Sequence, residues 1–349
     1  LGKVATGLTY AWSRIEDQLL NIPLPGFVGF SSQWQNAGTL ESSTVEAYIE
    51  TSLVDRPDLG WATRVNFDHT TQEITELGRA PYQTGFFYVR AGEVLGTFYG
   101  TRWAAGCGDL AADAQAGCDQ FQVNDDGFLV WVGSGNSYQD GVSKDLWGTT
   151  GDVNGVGYNW GRPIKTITED DGDFNRLGST TPDFNLSWSN TVRWNNLSFY
   201  ALLDGEFGAD IYNQTRQWAY RDNRSGDMDQ GSKAEGQQKS LNYYQDLYNV
   251  NQSSNWFVED GTFIKLREAA ITYRFNTDTV EQLFGGVIGG LSLNLVGRNL
   301  LTFTDYQGYD PETGSGASGS GGGSEAIGRV DNFGYPNFRT FSASLEIVF

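Results

Sequence analysis

Side chains that can act as acids, bases or nucleophiles are unevenly represented in this 349-residue chain, with one histidine and many carboxylates. His69 is the only histidine, which removes Ser-His-Asp triads and metal sites built from several histidines. The chain carries 43 aspartates and glutamates, yet no spacing singles out two of them as the paired carboxylates of a glycosidase. We therefore predict that the chain is not an enzyme and has no catalytic residues.

One acidic run has the composition of a calcium loop. Asp170, Asp171 and Asp173 flank Gly172 and offer the oxygen ligands that Ca²⁺ prefers. The ligand order of an EF-hand is absent, and a solvated acidic loop has the same composition. A Ca²⁺ ion in this loop is the only cofactor that the sequence suggests.

The two cysteines, Cys107 and Cys118, lie in a Gly- and Ala-rich stretch. Their spacing is too wide for CxxC redox chemistry, and no histidines accompany them for a zinc site. The pattern predicts a disulfide within a loop, which fits an oxidising compartment outside the cytoplasm. Two unpaired buried thiols are the alternative.

Aromatic side chains are the best candidates for ligand binding, because their flat faces can stack on a sugar ring or a peptide group. Four of them, Trp218, Tyr220, Tyr243 and Tyr244, fall in one long polar stretch. Two more, Tyr306 and Tyr309, follow a predicted strand. The alternatives are packing within the loop for the first four and a place in an aromatic belt at the membrane interface for the last two.

Charge and hydropathy exclude some functions. With 23 Lys and Arg against 43 Asp and Glu, the formal net charge is -20, so the chain should repel nucleic acid. The mean hydropathy is -0.42 and no apolar run approaches the ~18 residues of a transmembrane helix. Membrane β-barrels escape this test, since residues facing lipid and lumen alternate along each strand.

Alternation of apolar and polar residues is the main structural signal. At the end of the chain Phe341, Leu345, Ile347 and Phe349 share one face of a predicted strand, with Ser and Glu on the other. The same pattern predicts hairpins over 184–207 and over 45–54 with 61–70, and further strands at 5–12, 263–275 and 291–301. The predicted fold class is all-β, either a transmembrane antiparallel barrel or a soluble sandwich.

One predicted strand contains two cations on an otherwise apolar face. Strict alternation over 263–275 puts Lys265 and Arg267 on the same face as Ile271 and Tyr273. A cation facing lipid near the midplane costs about 2–4 kcal/mol. We therefore expect this half of the strand to lie above the membrane.

Long polar stretches separate the strands near 71–182, 208–261 and 302–337, with a short helix predicted around residues 211–220. Structureless loops of this length are unusual in compact soluble domains and normal on the outer side of membrane barrels. We treat residues 1–349 as one barrel portion with three long extracellular loops.

Three segments in order resemble one family: 256–275 (WFVEDGTFIKLREAAITYRF), 297–314 (GRNLLTFTDYQGYDPETG) and 333–349 (FGYPNFRTFSASLEIVF). They are similar to the C-terminal part of SusC/RagA-type TonB-dependent transporters. Residues 25–47 and 178–208 extend the similarity upstream.

The resemblance implies the C-terminal part of a 22-stranded barrel, about the last ten strands, with the plug domain outside this chain. It implies TonB-dependent uptake of a large ligand, a glycan, an oligosaccharide or a peptide, across the outer membrane of a Gram-negative-type bacterium. The implied partners are a SusD-like surface lipoprotein, the TonB complex acting through the plug, the N-terminal half of the barrel and outer-membrane lipid. The terminal Phe341, Leu345, Ile347 and Phe349 would then form the barrel-assembly signal.

Two other classes compete with transport. A structural or assembly barrel would use the same strands in a larger complex without active uptake. A secreted β-sandwich enzyme would be soluble and hydrolytic, and purification only from detergent extracts would eliminate it.

Overall fold

Strands dominate the chain in the computed structural model, which describes residues 4–166, 174–249, 253–312 and 329–349. In chain order the strands are β1 (Val4–Ile15), β2 (Leu19–Pro23), β3 (Ser32–Asn36), β4 (Thr39–Asp55), β5 (Leu59–Glu76), β6 (Tyr82–Thr84), β7 (Phe87–Val89), β8 (Thr97–Gly100), β9 (Phe121–Val123), β10 (Leu129–Trp131), β11 (Thr150–Val153), β12 (Val156–Asn159), β13 (Asn175–Ser179), β14 (Phe184–Trp194), β15 (Leu197–Phe207), β16 (Asp210–Asn213), β17 (Val258–Asp260), β18 (Phe263–Arg274), β19 (Gly290–Thr304), β20 (Val330–Asp331) and β21 (Thr340–Val348).

Helices are few and short. The α-helices are α1 (Ala112–Gln115), α2 (Gln214–Arg221), α3 (Leu241–Leu247) and α4 (Thr277–Phe284), and single 3-10 turns occur at Gly26–Val28, Cys107–Asp109, Cys118–Gln120, Tyr138–Asp140, Gly226–Met228 and Glu235–Gln237. Helix α2 begins later than predicted, since β16 takes the preceding residues and the Asn213 side chain accepts a hydrogen bond from the Arg216 amide. Within the described ranges no helix is long and apolar enough to cross a membrane.

Eight long strands form one antiparallel sheet in the order β1-β4-β5-β14-β15-β18-β19-β21, which we call the wall. Both predicted hairpins are confirmed. In the clearer one Phe184 pairs with Phe207 and Trp194 with Leu197, and the tight turn has Asn195 at a φ of 49°, a conformation that asparagine tolerates. At one end of the wall the turns 56–58 and 195–196 are short. At the other, the loop end, the connections are long, at 16–38, 77–183, 208–262 and 305–339.

The wall has one apolar and one polar face. Residues directly opposite each other on neighbouring strands share a face, so the register fixes the two sets. Leu293 pairs with Leu345 and Leu291 with Ile347 on the apolar face, while Asn294 pairs with Ser344 on the polar face. Every residue of β21 is exposed, so the described chain covers neither face of the wall at this strand. A soluble sandwich would bury the apolar face, and this one is open.

The shared face predicted for Lys265 and Ile271 is wrong because of a β-bulge. Leu203 on β15 pairs with Leu266, but the next partner, Leu202, pairs with Glu268, so Arg267 is an extra residue. A single inserted residue reverses the alternation of the strand. Lys265 therefore lies on the polar face, opposite Asp204, while Ile271 lies on the apolar face.

The two larger apolar clusters lie outside the wall, in a unit that we call the loop body: the described parts of residues 77–183, 208–262 and 305–339. Its largest cluster surrounds Phe98, Tyr212 and Phe257, each fully buried. A second cluster surrounds Leu129 and Val153. A third, smaller cluster joins Leu40 and Ile74 at the loop end of the wall to residues of the adjoining connections. The described wall has eight strands rather than about ten, because the long stretches between its strands fold into the loop body with a core of their own.

Cys107 and Cys118 are joined in a disulfide beside the second cluster. Replacing both by serine is expected to lower the local free energy of unfolding by about 3 kcal/mol in the chain-entropy model, because the unfolded loop regains freedom. Limited proteolysis of the folded protein would measure this as faster cleavage within 105–160. Cleavage at an unchanged rate would show that the core alone holds the segment.

Candidate functional site: the junction of wall and loop body

Four of the six predicted ligand-binding aromatics are core residues. Tyr220, Tyr243 and Tyr244 are each 1% exposed, and Tyr306 is 5% exposed. Tyr243 and Tyr244 meet edge to face with centroids 5.2 Å apart, and their hydroxyls are satisfied inside the protein, that of Tyr243 by Asp126 at 2.8 Å. These four rings therefore pack inside the protein, and a role for them in ligand binding stays a prediction. A spacing pattern could not separate the two roles, since aromatics dominate cores and binding sites alike.

Trp218 and Tyr309 are the two that reach the surface. Trp218 is 37% exposed, packs edge to face on Phe333 and carries the Arg221 guanidinium 4.3 Å from its ring centroid. Tyr309 is 76% exposed. The structure does not bring these two rings together with the other four, so any stacking contact with a ligand would come from Trp218 or Tyr309 alone.

The predicted calcium ligands Asp170, Asp171 and Asp173 lie outside the described residues. Elsewhere in the described chain, no group of three or more His, Cys, Asp or Glu side chains is placed to hold a metal ion.

A network of charges joins the wall to the loop body. We call it the junction network: Asp204 on β15, Lys265 and Arg267 on β18, and Asp310 and Glu312 in the connection after β19. The Lys265 ammonium is 2.5 Å from Asp310 Oδ1 and 2.6 Å from Glu312 Oε2. Arg267 donates to Asp204 Oδ2 at 2.7 Å and also pairs with Glu312. Two cations thus face three carboxylates with Lys265 only 1% exposed.

The same network holds the far side of the connection 305–339. The Asn337 amide N–H donates to Asp310 Oδ2 at 2.9 Å, and the Asn337 side chain donates to Glu312 Oε2 at 2.9 Å. Deeper in the loop body the Tyr306 hydroxyl donates to Asp331 Oδ2 at 2.6 Å, again joining the two sides. Both stems of the connection are therefore fixed to the wall.

Sequence reasoning missed this network, although a signal was present. The sequence contains two cations on a predicted strand, Lys265 and Arg267. It also contains two carboxylates of opposite charge in residues 309–312 (YDPE). Alternation placed the cations on the wrong face because a bulge cannot be located from a single sequence. Asp310 also precedes Pro311, and an Asp-Pro pair is typical of a turn after a strand, which gives no sign of an ion pair.

Glu312 has a perturbed pKa. Burial by itself would raise the pKa of this carboxyl, but hydrogen bonds from Arg267 and Lys265 outweigh it and lower the pKa to about 2. The unfolded chain titrates near 4.5. The ionised pair thus contributes its full stability above pH ~4.5, and this contribution is lost as the pH falls towards ~2.

We expect the free energy of unfolding of the natural protein to fall over that pH window more steeply than that of a Glu312→Gln variant. Glutamine does not ionise, so the substitution removes the titrating group and makes the free energy of unfolding less dependent on pH. Denaturant unfolding at pH 6, 4 and 3 measures both slopes. Parallel curves would show that Glu312 does not carry this pH dependence.

The polar face of the wall continues the junction network towards the short-turn end. Arg64 lies 3.4 Å from Glu50, and Arg298 lies 2.8 Å from Glu268, each pair bridging neighbouring strands. Asn66 donates to the Ser187 hydroxyl at 3.0 Å. Hydroxyls, amides and paired charges form a surface that can exchange hydrogen bonds with water or with a hydrated ligand.

A polar cleft of about 310 Å³ opens where β5 leaves the wall and enters the loop body. It is lined by His69, Gln72, Arg176, Asp183 and Asp210 among others. Burial, aided by nearby Asp260 and Asp183, raises the pKa of Asp210. His69 contacts the Asp183 carbonyl here, which places it at the loop end of the wall.

The chain resembles curated proteins of one kind along nearly its whole length. It is 26% identical over 360 residues to TonB-dependent receptor P39 of Formosa agariphila, a match covering 96% of this chain and 33% of that protein. It is 22% identical to the TonB-dependent receptor SusC of Bacteroides thetaiotaomicron, covering 100% of this chain and 30% of SusC. The chain thus spans about a third of the length of these relatives. No family model matches it.

Solved structures share the fold. The structure of the RagAB peptide transporter superposes with a TM-score of 0.64 at 21% identity, covering 99% of this chain and 33% of the solved chain. The RagAB peptide importer in its closed-closed state gives a TM-score of 0.63 at 22% identity, again with 99% and 33% coverage.

A two-faced antiparallel sheet with short turns at one end and long connections at the other defines the wall of a transmembrane β-barrel. The chain is similar along its length to TonB-dependent receptors, SusC among them, in agreement with the SusC/RagA-type resemblance of its motifs. The curated relatives are receptors and not enzymes, in agreement with the prediction that the chain is not an enzyme.

Proposed function

We propose that this chain forms wall and outer rim of an outer-membrane importer that takes up a large ligand, a glycan or a peptide, with energy from the TonB system. The two-faced wall is the observation that carries the proposal, since an open apolar face with a hydrated polar face suits lipid outside and a polar lumen inside. The polar face and the surface of the loop body would then contact ligand.

The wall in the described residues has two edges, β1 and β21. Unpaired backbone groups cost several kcal/mol each in lipid, so a working barrel needs further strands between these edges. The proposal therefore includes strands and a plug contributed by polypeptide beyond this segment. It also includes a SusD-like lipoprotein, because the loop body provides a large ordered platform above the barrel on which a surface partner can rest.

Both ligand classes remain in the proposal, although only peptide is named by a protein of similar fold. The transporter of similar fold in the RagAB structures is a peptide importer, and the SusC relative is a TonB-dependent receptor. The rim offers Trp218 and Tyr309 for stacking and paired ions for hydrogen bonding, features that serve sugars and peptides equally.

The test uses the full-length protein in its own host, with its neighbouring genes intact. Cells would be given fluorescent oligosaccharide and fluorescent peptide mixtures separately, and internal fluorescence would be measured with and without a functional TonB protein. The proposal predicts accumulation of one mixture, lost when either the transporter or TonB is deleted. A protein that is present and folded in the outer membrane without either accumulation would instead indicate a structural barrel.

A further inference from the structure

Helix α4 is the unusual feature of the short-turn end. The other two connections there, 56–58 and 195–196, are three and two residues long, whereas β18 and β19 are joined by residues 275–289. Both ends of the helix are capped. The Asn276 side chain accepts from the Asp278 amide at its start, and Gly285 ends it with a φ of 62°. A tight hairpin would have closed the wall, so the helix must have a separate role.

The helix is amphipathic, and most of its apolar side is open. Val280, Leu283 and Phe284 have the i, i+3, i+4 spacing of a single stripe, and Gln282 and Asp278 lie opposite. Val280 is buried at 1% exposure, which anchors the helix. Leu283 is 73% exposed and Phe284 46% exposed, and Val287 follows just after the helix at 68%. Three large apolar side chains thus lack cover within the described chain.

The helix follows the apolar face of the wall in the chain, the face that the proposed barrel placement turns towards lipid. Tyr273 and Phe275, at the end of β18, are exposed in line with the apolar face and meet edge to face 5.0 Å apart. Across the wall, Gly289 donates its amide to the Val348 carbonyl, so the connection returns beside exposed Val348 at the end of β21. Helix α4 starts at Thr277, two residues after Phe275 and three after the end of β18.

We propose that α4 is an interfacial helix that inserts Leu283, Phe284 and Val287 into the periplasmic leaflet of the membrane. This inference rests on the barrel placement proposed above. Amphipathic helices with a strong polar face lie in the plane of the interface, and their binding follows the apolar area that they bury. Asp278, Glu281 and Gln282 remain in water, while the apolar stripe extends the lipid-facing band by one helix. The helix thereby fixes the depth of the strands β18, β19 and β21.

The experiment places a fluorescent label at single introduced cysteines in the full-length protein, reconstituted in phosphatidylcholine vesicles. The labelled variants are Leu283→Cys on the stripe, Gln282→Cys on the opposite side and Leu295→Cys in the lipid-facing band. Each sample is tested with lipids carrying a nitroxide high on the acyl chain and, separately, with aqueous iodide. Heat-modifiable gel migration shows that each variant is folded.

The inference predicts that the label at position 283 loses most of its emission to the nitroxide lipid and little to iodide, and that position 282 shows the reverse. Quenching of the label at position 283 by iodide alone would overturn the inference. Quenching by neither agent would also overturn it, because it would mean that protein covers the stripe. The label at position 295 separates the two proposals. If the nitroxide lipid quenches the label at position 295 but not the label at 283, only the interfacial-helix inference is wrong. If it quenches neither label, the proposed barrel placement is wrong.

Discussion

Replacing Lys265 by methionine is expected to lower the free energy of unfolding by about 3–5 kcal/mol, the cost of leaving buried carboxylates without their cation. The Lys265 ammonium pairs with both Asp310 and Glu312 and is itself almost completely buried. Methionine keeps most of the side-chain volume and removes the charge, so the effect reports the pairing. Denaturant unfolding of the folded protein in detergent measures it.

Two comparisons make this result interpretable. Arg64→Met removes a cation from the exposed pair with Glu50 and should cost no more than ~1 kcal/mol. Adding Asp310→Asn and Glu312→Gln to Lys265→Met should recover much of the loss, since the uncompensated charges disappear together. An equal loss in Lys265→Met and Arg64→Met would mean that the junction network is not buried as described.

Because both stems of the connection 305–339 are tied to this network, its loss should reach beyond β18. Cleavage by a protease near residues 305–312 and 329–337 is expected to become faster in Lys265→Met while cleavage elsewhere in the loop body stays unchanged. In the proposed barrel placement this connection would lie at the rim, where the proposed lipoprotein would rest. The junction network would then fix the rim to the wall.

The second large effect concerns the apolar face. Leu295→Arg is expected to destabilise the barrel by about 2–4 kcal/mol, the cost of an arginine near the bilayer midplane. Leu295 lies in the middle of β19, is 45% exposed and pairs with Ala343 on the apolar face. Unfolding in lipid vesicles measures the change.

Asn294→Arg is the matched control, one residue away in the same strand. Asn294 pairs with Ser344 on the polar face and accepts a hydrogen bond from Thr272 at 3.0 Å. An arginine there stays in the hydrated lumen, so we expect a change within ~0.5 kcal/mol. Equal effects at the two positions would show that the faces are not distinguished by lipid.

How far the sequence predicts this structure depends on the range of the interactions involved. Alternation is local, and it located all of the long wall strands, including both hairpins and the final strand with Phe341 and Leu345 on one face. The bulge at Arg267 is one inserted residue whose position depends on both neighbouring strands, and the pattern of one strand carries no record of it.

The site was less predictable for the same reason. Burial of Tyr220, Tyr243 and Tyr244 results from packing between segments distant in the chain, such as the contact of Tyr243 with Asp126. The junction network joins residues 204, 265 and 312. Single-sequence reasoning can list candidate partners for each charge, but it cannot choose among them without the register of the wall. The exposed Trp218 and Tyr309 stay as predicted ligand contacts.

The central claim is that the apolar face of the wall meets lipid and the polar face meets water. A spin-label scan over residues 291–296 of β19, in full-length protein in vesicles, tests it most directly. We predict that oxygen, which partitions into lipid, relaxes labels at 291, 293 and 295 most strongly, and that a water-soluble nickel chelate relaxes those at 292, 294 and 296. Two accessibility profiles that rise and fall together, or show no period of two, would contradict the account.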